Sequence, residues 1–455
     1  MKVCVIGTGY VGLVTGVCLA DLGNEVTCVD RNREKIEGLK IGKLPIYEPG
    51  LPDLLEKNRD RLTFTTDLGE SVKEALVVFI TVGTPPKASG DPDLSGVEAV
   101  ARQIGQFLDG YKVIVNKSTV PIGSGDWVAM LIREGLAQQT VKVHAGGGSF
   151  PESPKSLSFD VVSNPEFLRE GTAIMDTFFP DRIVVGSDSP EAIKIMRELY
   201  QPLIERTFLA EPDHNVPFLV TDLNSAEMIK YAANAFLATK ISFINEMANI
   251  CERIGADVSE VATGIGLDKR IGKSFLEAGL GWGGSCFPKD INAILSIAED
   301  YGYQPLLLNC VRAVNLRQRQ AILAKLMNHL KVLKGKTIAL LGLAFKPETD
   351  DTRDSPALFL AEQLLKLGAR VQGYDPVAME NAQKALPHLC CCQSAEEAVL
   401  GCDAVVLATE WEAFRFLDFA ELREKVRNPL LIDARNLYRS EDLARAGWIH
   451  VGIGR

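Results

Sequence analysis

Short runs of apolar, β-branched residues alternate with helical patterns in the first part of the chain. Residues 3–6 form the first run, and residues 25–29 form the second, which stops at Asp30. Between them lie the glycine turn G-T-G-Y-V-G at 7–12 and an apolar stretch at 13–22. A strand, a glycine turn, a helix and a second strand in this order predict a βαβ unit with parallel strands and a right-handed crossover.

The same alternation continues to about residue 210. Further buried strands are predicted at 76–82, 112–117 and 182–185, with helical patterns between them. We therefore expect this region to be a doubly wound α/β domain. A segment rich in Gly, Ser and Pro at 146–158 interrupts the pattern and predicts a mobile surface loop that carries no chemistry.

Residues 222–254 carry apolar side chains at helical spacing and predict one helix of about thirty residues. At 1.5 Å per residue such a helix is about 45–50 Å long, which exceeds the core of one domain. We therefore expect it to link two domains. More helix is predicted to about residue 333, interrupted by a glycine-rich loop at 279–285.

An α/β pattern restarts at Lys336. Its predicted strands lie at 337–343, 370–374, 404–408 and 430–433, and a helix is predicted at 356–367. The fold class is thus predicted to be α/β, with two Rossmann-like doubly wound lobes joined by a long central helix and a helical middle domain. The predicted domains are residues 1–210, 211–333 and 334–455.

Composition and charge narrow the classes of partner. The chain of 455 residues is 46% hydrophobic and 24% charged, which is ordinary for a globular protein. Its net charge of −10 argues against a partner of duplex nucleic acid. No apolar run approaches the roughly 20 residues that span a bilayer, and no signal peptide precedes the first strand. The ten scattered cysteines and isolated histidines lack metal-site spacing, so we expect a cytoplasmic protein with reduced thiols and no metal.

The glycine turn predicts a dinucleotide site. Gly7, Gly9 and Gly12 follow a strand and open a helix, where backbone N–H groups can approach a pyrophosphate. Asp30 ends the next strand, and its carboxylate would accept from a ribose 2′-hydroxyl and repel a 2′-phosphate. This favours NAD, although Arg31 and Arg33 nearby would also suit NADP. The alternative is a glycine turn without a ligand.

The stretch G-L-G-W-G-G-S-C-F-P-K-D at 279–290 is the most informative one. Pro288 suits the first turn of a helix, which would place Cys286 just before a helix N-terminus, where thiolate is favoured. Lys289 adds positive charge, and Asp290 lies four residues after the thiol. The glycines are expected to let a substrate approach the backbone closely. The alternative is a buried structural cysteine beside a tight turn.

Other polar groups follow predicted strands or share a helix face. Lys230 and Asn234 are one helical turn apart and could hold an oxyanion, but such a pair taken alone favours a solvated face. The segments 117–121 and 164–171 follow strands, and so do Lys346 and Arg353, which are basic enough for a diphosphate. The run of three cysteines at 390–392 is expected to be a loop without function.

Five motifs together resemble the UDP-glucose 6-dehydrogenase family of nucleotide-sugar dehydrogenases. They are G-T-G-Y-V-G at 7–12, S-N-P-E-F-L-R-E-G at 163–171, K-Y-A-A-N-A-F at 230–236, G-W-G-G-S-C-F-P-K-D at 281–290 and G-L-A-F-K-P-E-T-D-D-T-R at 342–353. The resemblance covers nearly the whole chain. It implies that UDP-glucose, two NAD and water give UDP-glucuronate through a cysteine thiohemiacetal and a thioester. It also implies that lobe 1–210 binds NAD, that 211–333 carries the cysteine loop and the dimer interface, and that 334–455 binds the UDP-sugar.

The resemblance also implies roles for individual residues. Cys286 would be the nucleophile, Lys230 with Asn234 would support the oxyanion, Asp290 and Thr119 would position a water, and Glu166 would be the base in thioester hydrolysis. The implied NAD contacts are Gly7, Gly9, Tyr10, Val11, Gly12, Asp30, Lys35, Thr84, Thr119, Glu170, Lys289 and Arg353. The implied substrate contacts are Glu166, Phe167, Leu168, Arg169, Lys230, Asn234, Arg270, Phe275, Leu276, Glu277, Ala278, Gly279, Gly283, Phe345, Lys346 and Arg435. In the family the arginine at 270 reaches the neighbouring subunit, which implies a homodimer or a larger homo-oligomer.

Two alternatives stay open at the level of sequence. A sister enzyme acting on GDP-mannose or on a UDP-N-acetylhexosamine would use the same chemistry, although the loop at 281–290 and the segment 275–279 look more like the UDP-glucose group. A non-catalytic NAD-sensing regulator on the same fold would need the glycine turn, but not a thiol beside a lysine and an aspartate.

Overall fold

The computed structural model describes residues 1–85, 87, 92–145, 158–209 and 214–455. It forms two compact units, Met1–Ala232 and Ala233–Arg455. The loop predicted at 146–158 lies outside the described residues, apart from Ser158. Across the described ranges, no helix combines the length and the apolar character needed to cross a membrane.

The first unit is built on one sheet. Its described strands are β1 (Lys2–Ile6), β2 (Glu25–Val29), β3 (Leu62–Thr65), β4 (Val77–Ile80), β5 (Lys112–Asn116), β6 (Phe159–Ser163), β7 (Ile183–Gly186) and β8 (Phe218–Thr221). Their order is β3-β2-β1-β4-β5-β6-β7-β8, parallel throughout except where β7 meets β6. The first six strands follow the doubly wound order of dinucleotide-binding sheets.

Helices cover both faces of this sheet. They are α1 (Tyr10–Asp21), α2 (Arg33–Lys40), α3 (Leu51–Lys57), α4 (Leu68–Glu74), α5 (Ser95–Phe107), α6 (Ser124–Ala145), α7 (Ala173–Phe178), α8 (Pro190–Ile204) and α9 (Leu223–Ile254), with a 3-10 turn at Arg59–Arg61. Along β1, Val3 and Val5 pack into one core, and Cys4 and Ile6 pack into another. Burial on both faces explains why the run is continuously apolar.

The second unit repeats this architecture. After the end of α9 its helices are α10 (Val258–Gly266), α11 (Phe287–Asp300), α12 (Leu306–Leu330), α13 (Pro356–Lys366), α14 (Met379–Ala385), α15 (Ala395–Val399), α16 (Phe419–Arg423) and α17 (Ser440–Arg445), with a 3-10 turn at Glu412–Phe416. Its strands are β9 (Thr337–Leu341), β10 (Arg370–Tyr374), β11 (Cys390–Cys391), β12 (Ala404–Leu407), β13 (Leu430–Asp433) and β14 (Ile449–Val451). They pair in parallel in the order β11-β10-β9-β12-β13-β14.

The predicted fold class is confirmed, because both units hold a doubly wound α/β sheet of Rossmann-like order. The predicted long helix is confirmed as α9. The prediction of a loop at 390–392 was wrong for its first two residues, because Cys390 and Cys391 pair with β10 as an edge strand. The strands that the pattern missed include β3 and β8, whose side chains are largely accessible. In β3 apolar residues alternate with threonine, and the apolar run of β8 is only three residues long.

Candidate active site

The glycine turn after β1 leaves room for a ligand at the start of α1. Gly7 has a positive φ of 105°, and a Cβ on Gly12 would lie 1.9 Å from the Gly7 carbonyl oxygen, so both positions require glycine. A Cβ on Gly9 would meet nothing within 4 Å. The backbone at Gly9, the N-cap of α1, is therefore open to a pyrophosphate, as a dinucleotide requires.

Asp30 is held as an acceptor beside this turn. Its Oδ2 accepts from the Thr8 N–H at 3.0 Å and from the Thr8 hydroxyl at 2.8 Å, and Lys35 Nζ lies 3.2 Å away. Burial acts to raise the pKa of the Asp30 carboxyl, but the N–H groups of Asn32 and Thr8 outweigh it and the pKa is lowered. The ionised carboxylate suits a ribose hydroxyl and disfavours a 2′-phosphate.

The second sheet has an aspartate at the corresponding strand end, but its side chain is already saturated. Asp375 follows β10, and its Oδ2 accepts from the N–H groups of Leu343 and Ala344 and from Trp411 Nε1. Its Oδ1 accepts two further backbone N–H groups. A buried carboxylate with five donors cannot bind a ribose as well, so this sheet lacks the dinucleotide acceptor of the first.

A buried ion pair lies where β6 ends. Lys230, on α9, donates from Nζ to Glu166 Oε1 at 2.8 Å and to the Glu166 carbonyl oxygen at 2.7 Å. The second carboxylate oxygen accepts from the Leu168 N–H at 2.9 Å. Both side chains are less than 10% exposed. The solvated face expected for Lys230 and Asn234 was therefore wrong, since Asn234 is buried too.

Further polar groups line this cleft. They include Lys117, Ser118, Thr119, Glu166, Glu227 and Lys230. Lys117 Nζ donates to Asn164 Oδ1 at 3.1 Å. Burial, aided by the charge of Lys230, lowers the pKa of the Lys117 ammonium to about 8, although Glu166 opposes that shift. The site thus holds a second lysine, which begins the segment 117–121 predicted to follow a strand but lies outside the five family motifs.

Two contacts hold the loop that carries Thr119. The Thr84 hydroxyl donates to the Thr119 carbonyl oxygen at 2.8 Å, so two residues expected near NAD are adjacent. At the far end of the loop, Glu227 accepts from the N–H groups of Gly123 and Gly125 at 2.7 and 3.0 Å. Burial raises the pKa of Glu227 to about 7. Glu227 lies one turn before Lys230 on α9, so the loop is tied to the helix that carries the ion pair.

The remaining residues of 166–171 have separate roles. The Arg182 guanidinium lies 3.7 Å from the centroid of the Phe167 ring. Arg169 forms a bidentate pair with Asp176, which holds its side chain towards α7. Glu170 is buried. Of the expected substrate contacts here, Glu166 is the one paired with a buried cation.

In the second unit, Cys286 is the N-cap of α11, as Pro288 predicts. The thiol is partly accessible, and its Sγ lies 3.6 Å from the Ser285 hydroxyl. The free N–H groups and the dipole at a helix N-terminus favour thiolate. The alternative of a buried structural cysteine was wrong, since Cys286 is only half-buried.

A carboxylate and an amide accompany the thiol on the same helix and on α9. Asp290 is buried and accepts from Asn234 Nδ2 at 2.5 Å and from Lys289 Nζ at 2.5 Å. The Asn234 amide is thereby oriented, with its second N–H able to donate to an oxyanion. The positive charge of Lys289 is paired with Asp290. The N-terminus of α11 is therefore expected to stabilise the thiolate more than Lys289 does.

The glycine-rich loop is fixed by buried polar side chains of α12. Asn315 accepts from the Trp282 N–H at 2.8 Å, and Arg319 donates to the Trp282 carbonyl oxygen at 2.7 Å. Gln318 donates to the Gly279 carbonyl oxygen at 2.8 Å. Sequence reasoning missed these three residues, because a polar residue within a helix carries no signal of its tertiary partner.

Three glycines of this loop are required by close packing. A Cβ would lie 2.5 Å from Asn315 Oδ1 at Gly281, 2.2 Å from the Asp354 carbonyl oxygen at Gly283 and 2.6 Å from the Phe345 ring at Gly284. The protein itself therefore requires glycine at these three positions, because its own atoms fill the space that a Cβ would take. Close packing and the hydrogen bonds from α12 thus hold the loop that leads to the thiol.

Two basic residues, Lys346 and Arg435, follow strands β9 and β13 at the carboxyl edge of the second sheet. Arg435, after β13, donates to the Ala408 carbonyl oxygen at 2.8 Å and pairs with Glu410 at 3.0 Å. Its guanidinium also reaches the Phe345 carbonyl oxygen, next to Lys346. Strand ends at this switch point are where such sheets bind ligands, and the two cations suit a diphosphate. Arg353 is instead turned to Asp351 in a bidentate pair.

The expected substrate segment 275–279 is partly core. Leu276 and Ala278 are buried in the main core of the second unit, so contact with a substrate there would involve the main chain. Phe275 has a positive φ of 66° and Glu277 is exposed. Arg270 is paired with Asp268, with 89% of its side chain exposed. No group of three or more potential metal ligands occurs among the residues that the structure describes.

Comparison with known proteins assigns the chain. Three domain models of the UDP-glucose/GDP-mannose dehydrogenase family match it: the NAD binding domain at residues 1–204, the central domain at 224–317 and the UDP binding domain at 339–440. The NAD binding domain confirms the predicted cofactor. The UDP-glucose 6-dehydrogenase TuaD of Bacillus subtilis is 48% identical over 457 residues, covering 100% of this chain and 93% of that protein.

Solved structures agree. A UDP-glucose dehydrogenase from Pyrobaculum islandicum is 37% identical with a TM-score of 0.86, covering 99% of this chain and 97% of that one. A UDP-D-ManNAc dehydrogenase from Pyrococcus horikoshii is 28% identical with a TM-score of 0.82, covering 100% and 99%. The fold is thus shared by enzymes of different sugars. With all three domains matched in order, this chain belongs to the UDP-glucose/GDP-mannose dehydrogenase family.

Proposed function

We propose that the chain is an NAD-dependent UDP-glucose 6-dehydrogenase, which oxidises C6 of UDP-glucose twice and releases UDP-glucuronate. The observation that carries this proposal is the accessible Cys286 thiol at the N-terminus of α11, on a loop fixed by buried hydrogen bonds. Full-length relatives that bear the same name support the choice of sugar. NAD, when bound at the open glycine turn, takes up a hydride in each oxidation.

Covalent capture explains how one site oxidises twice. The Cys286 thiolate adds to the C6 aldehyde, so that a C–S bond forms and negative charge develops on the former carbonyl oxygen. The Lys230 ammonium and the second N–H of Asn234 would stabilise that charge. A sugar bound through sulfur cannot escape as a reactive aldehyde, and the second oxidation leaves it as a thioester.

Hydrolysis of the thioester needs a water and a base. Thr119 and Asp290 would position the water, and the Glu166 carboxylate would take its proton. Lys230 and Glu166 form a buried, hydrogen-bonded pair, which would hold the carboxylate in place for this step. Lys230 would thus act twice: it would stabilise the oxyanion, and it would hold the base for thioester hydrolysis.

The diphosphate would bind at the carboxyl edge of the second sheet, at Lys346 and Arg435, as the matched UDP binding domain supports. We assign residues 1–210 to NAD binding, 211–333 to the cysteine loop and subunit contacts, and 334–455 to the UDP-sugar. We place the protein in the cytoplasm, because its ten cysteines form no disulfide and such thiols are typical of a reducing compartment.

The decisive experiment compares NADH formed with product formed. With UDP-glucose we expect about two NADH for each glucuronate, because one bound sugar passes through both oxidations. GDP-mannose and a UDP-N-acetylhexosamine, assayed side by side, should give far lower kcat/KM. Turnover of GDP-mannose alone would overturn the choice of sugar, and no turnover with any of them would favour the NAD-sensing regulator.

We further propose a homodimer, or a larger assembly built from it, through the exposed side of α9. Phe236, Phe243 and Ile250 recur every seven residues. Their exposed fractions are 65%, 46% and 44%, respectively. An apolar stripe of this kind is the seam of a helix pair. The exposed Arg270 could then reach a neighbouring site.

A charge placed in this stripe tests the assembly. The Phe236→Glu/Phe243→Glu variant should sediment as a monomer, with activity reduced because the partner's contribution is lost. The Glu441→Lys variant, on an exposed position of α17 away from the stripe, should keep the assembly of the parent. A parent that sediments as a monomer at all concentrations would contradict the proposal.

A further inference from the structure

Glu48 is a buried carboxylate that none of the motifs includes. It lies in the loop between α2 and α3 and is 4% exposed. Its Oε1 accepts from the Ala173 N–H at 2.7 Å, at the first residue of α7. Its Oε2 accepts from the Gly171 N–H at 2.6 Å and from the hydroxyl of Tyr10. One side chain therefore joins three segments of the first unit.

Two of these segments belong to the site already described. Tyr10 is the first residue of α1 and follows the open glycine turn. Gly171 ends the segment that carries Glu166 and Glu170, and its N–H also lies 2.8 Å from the Tyr10 oxygen. The dinucleotide turn and the segment of the buried base are thus joined by a triangle of hydrogen bonds.

Within this triangle, Tyr10 acts as the donor to Glu48. Burial and the hydrogen bond to Glu48 both raise the pKa of Tyr10 above its ordinary value, so its hydroxyl stays a donor. Oε1 alone satisfies the start of α7, so a capping role needs no tyrosine hydroxyl on Oε2. The bond from Tyr10 serves instead to fix the Gly171 end of the loop relative to the glycine turn.

We infer that Glu48 is a positioning residue that couples the dinucleotide turn to the segment bearing Glu166, so that occupancy of the turn strengthens binding of the sugar nucleotide. This inference rests on the proposed function. When a dinucleotide fixes the N-terminus of α1, Tyr10 is held, and through Glu48 the 166–171 segment is held as well. The sugar nucleotide then binds to an ordered segment and loses less conformational entropy.

Calorimetry tests the coupling without turnover. The Kd of UDP-glucose is measured with and without saturating NADH, for the parent and for Tyr10→Phe, which removes only the hydroxyl. We expect NADH to tighten UDP-glucose binding at least about 5-fold in the parent and less than about 2-fold in Tyr10→Phe. Equal coupling in both proteins would overturn the inference while leaving the proposed function intact. No binding of UDP-glucose by the parent would overturn both.

Matched variants separate coupling from stability. Tyr111→Phe removes a comparable hydroxyl that binds Asp160 at 2.8 Å elsewhere in the same unit. It should lose similar thermal stability and keep the coupling of the parent. Glu48→Gln should weaken the coupling as Tyr10→Phe does, and the double variant should add nothing, because both act through one bond. Additive losses in the double variant would contradict the shared pathway.

Discussion

Replacement of Cys286 by alanine is expected to abolish glucuronate formation, with kcat reduced by about 10⁴-fold or more. Without the sulfur no covalent adduct forms, so neither the thiohemiacetal nor the thioester is available. The fold should persist, because the side chain is partly accessible and makes no cap hydrogen bond. NAD binding, measured by fluorescence quenching, should match that of the parent.

The matched control is Cys310→Ala, which removes an exposed thiol of the same unit and should retain full activity. Cys286→Ser should be intermediate, because a hydroxyl at the same helix N-terminus is ionised far less than a thiol. Intact-mass analysis of the parent during turnover should show a sugar adduct on Cys286. Unchanged turnover in Cys286→Ala would remove the covalent mechanism.

Replacement of Lys230 by methionine is expected to have the second-largest effect. It removes the oxyanion donor, so kcat should fall by about 10²–10³-fold. It also leaves the buried Glu166 carboxylate without its cation, which should cost about 3–5 kcal/mol of the free energy of unfolding. Steady-state kinetics and chemical denaturation measure the two effects.

A double variant distinguishes catalysis from stability. Lys230→Met/Glu166→Gln removes both charges of the pair, so most of the lost stability should return. Activity should not return, because both the oxyanion donor and the base are missing. If the double variant recovered activity along with stability, Lys230 would be a structural residue only. Lys194→Met, at an exposed position of α8 in the same unit, serves as the control lysine.

Local chemistry explains what could be predicted. The strand–turn–helix pattern and Asp30 indicated a dinucleotide site because both lie within thirty residues of one another. Pro288 placed Cys286 at a helix N-terminus, which the structure confirms. The doubly wound class followed from buried strands between helices. Each of these signals is contained in a short stretch of chain.

Tertiary partners could not be predicted in this way. Glu48 contacts a glycine more than one hundred residues away, and Arg319 holds the backbone of Trp282 from another helix. Lys230 was expected on a solvated face, because helical spacing reports which residues share a face and not what covers it. Only the folded chain brought Glu166 to it.

The sequence by itself determined the two α/β sheets, the open glycine turn and the thiol at the start of α11, because steric and hydrogen-bonding rules act over neighbouring residues. The tertiary structure alone decided which charges are buried and paired. It turned the second sheet's Asp375 inward against five donors while Asp30 stayed an acceptor beside open backbone. Burial and pairing depend on residues that are distant along the chain, and these come into contact only when the chain folds.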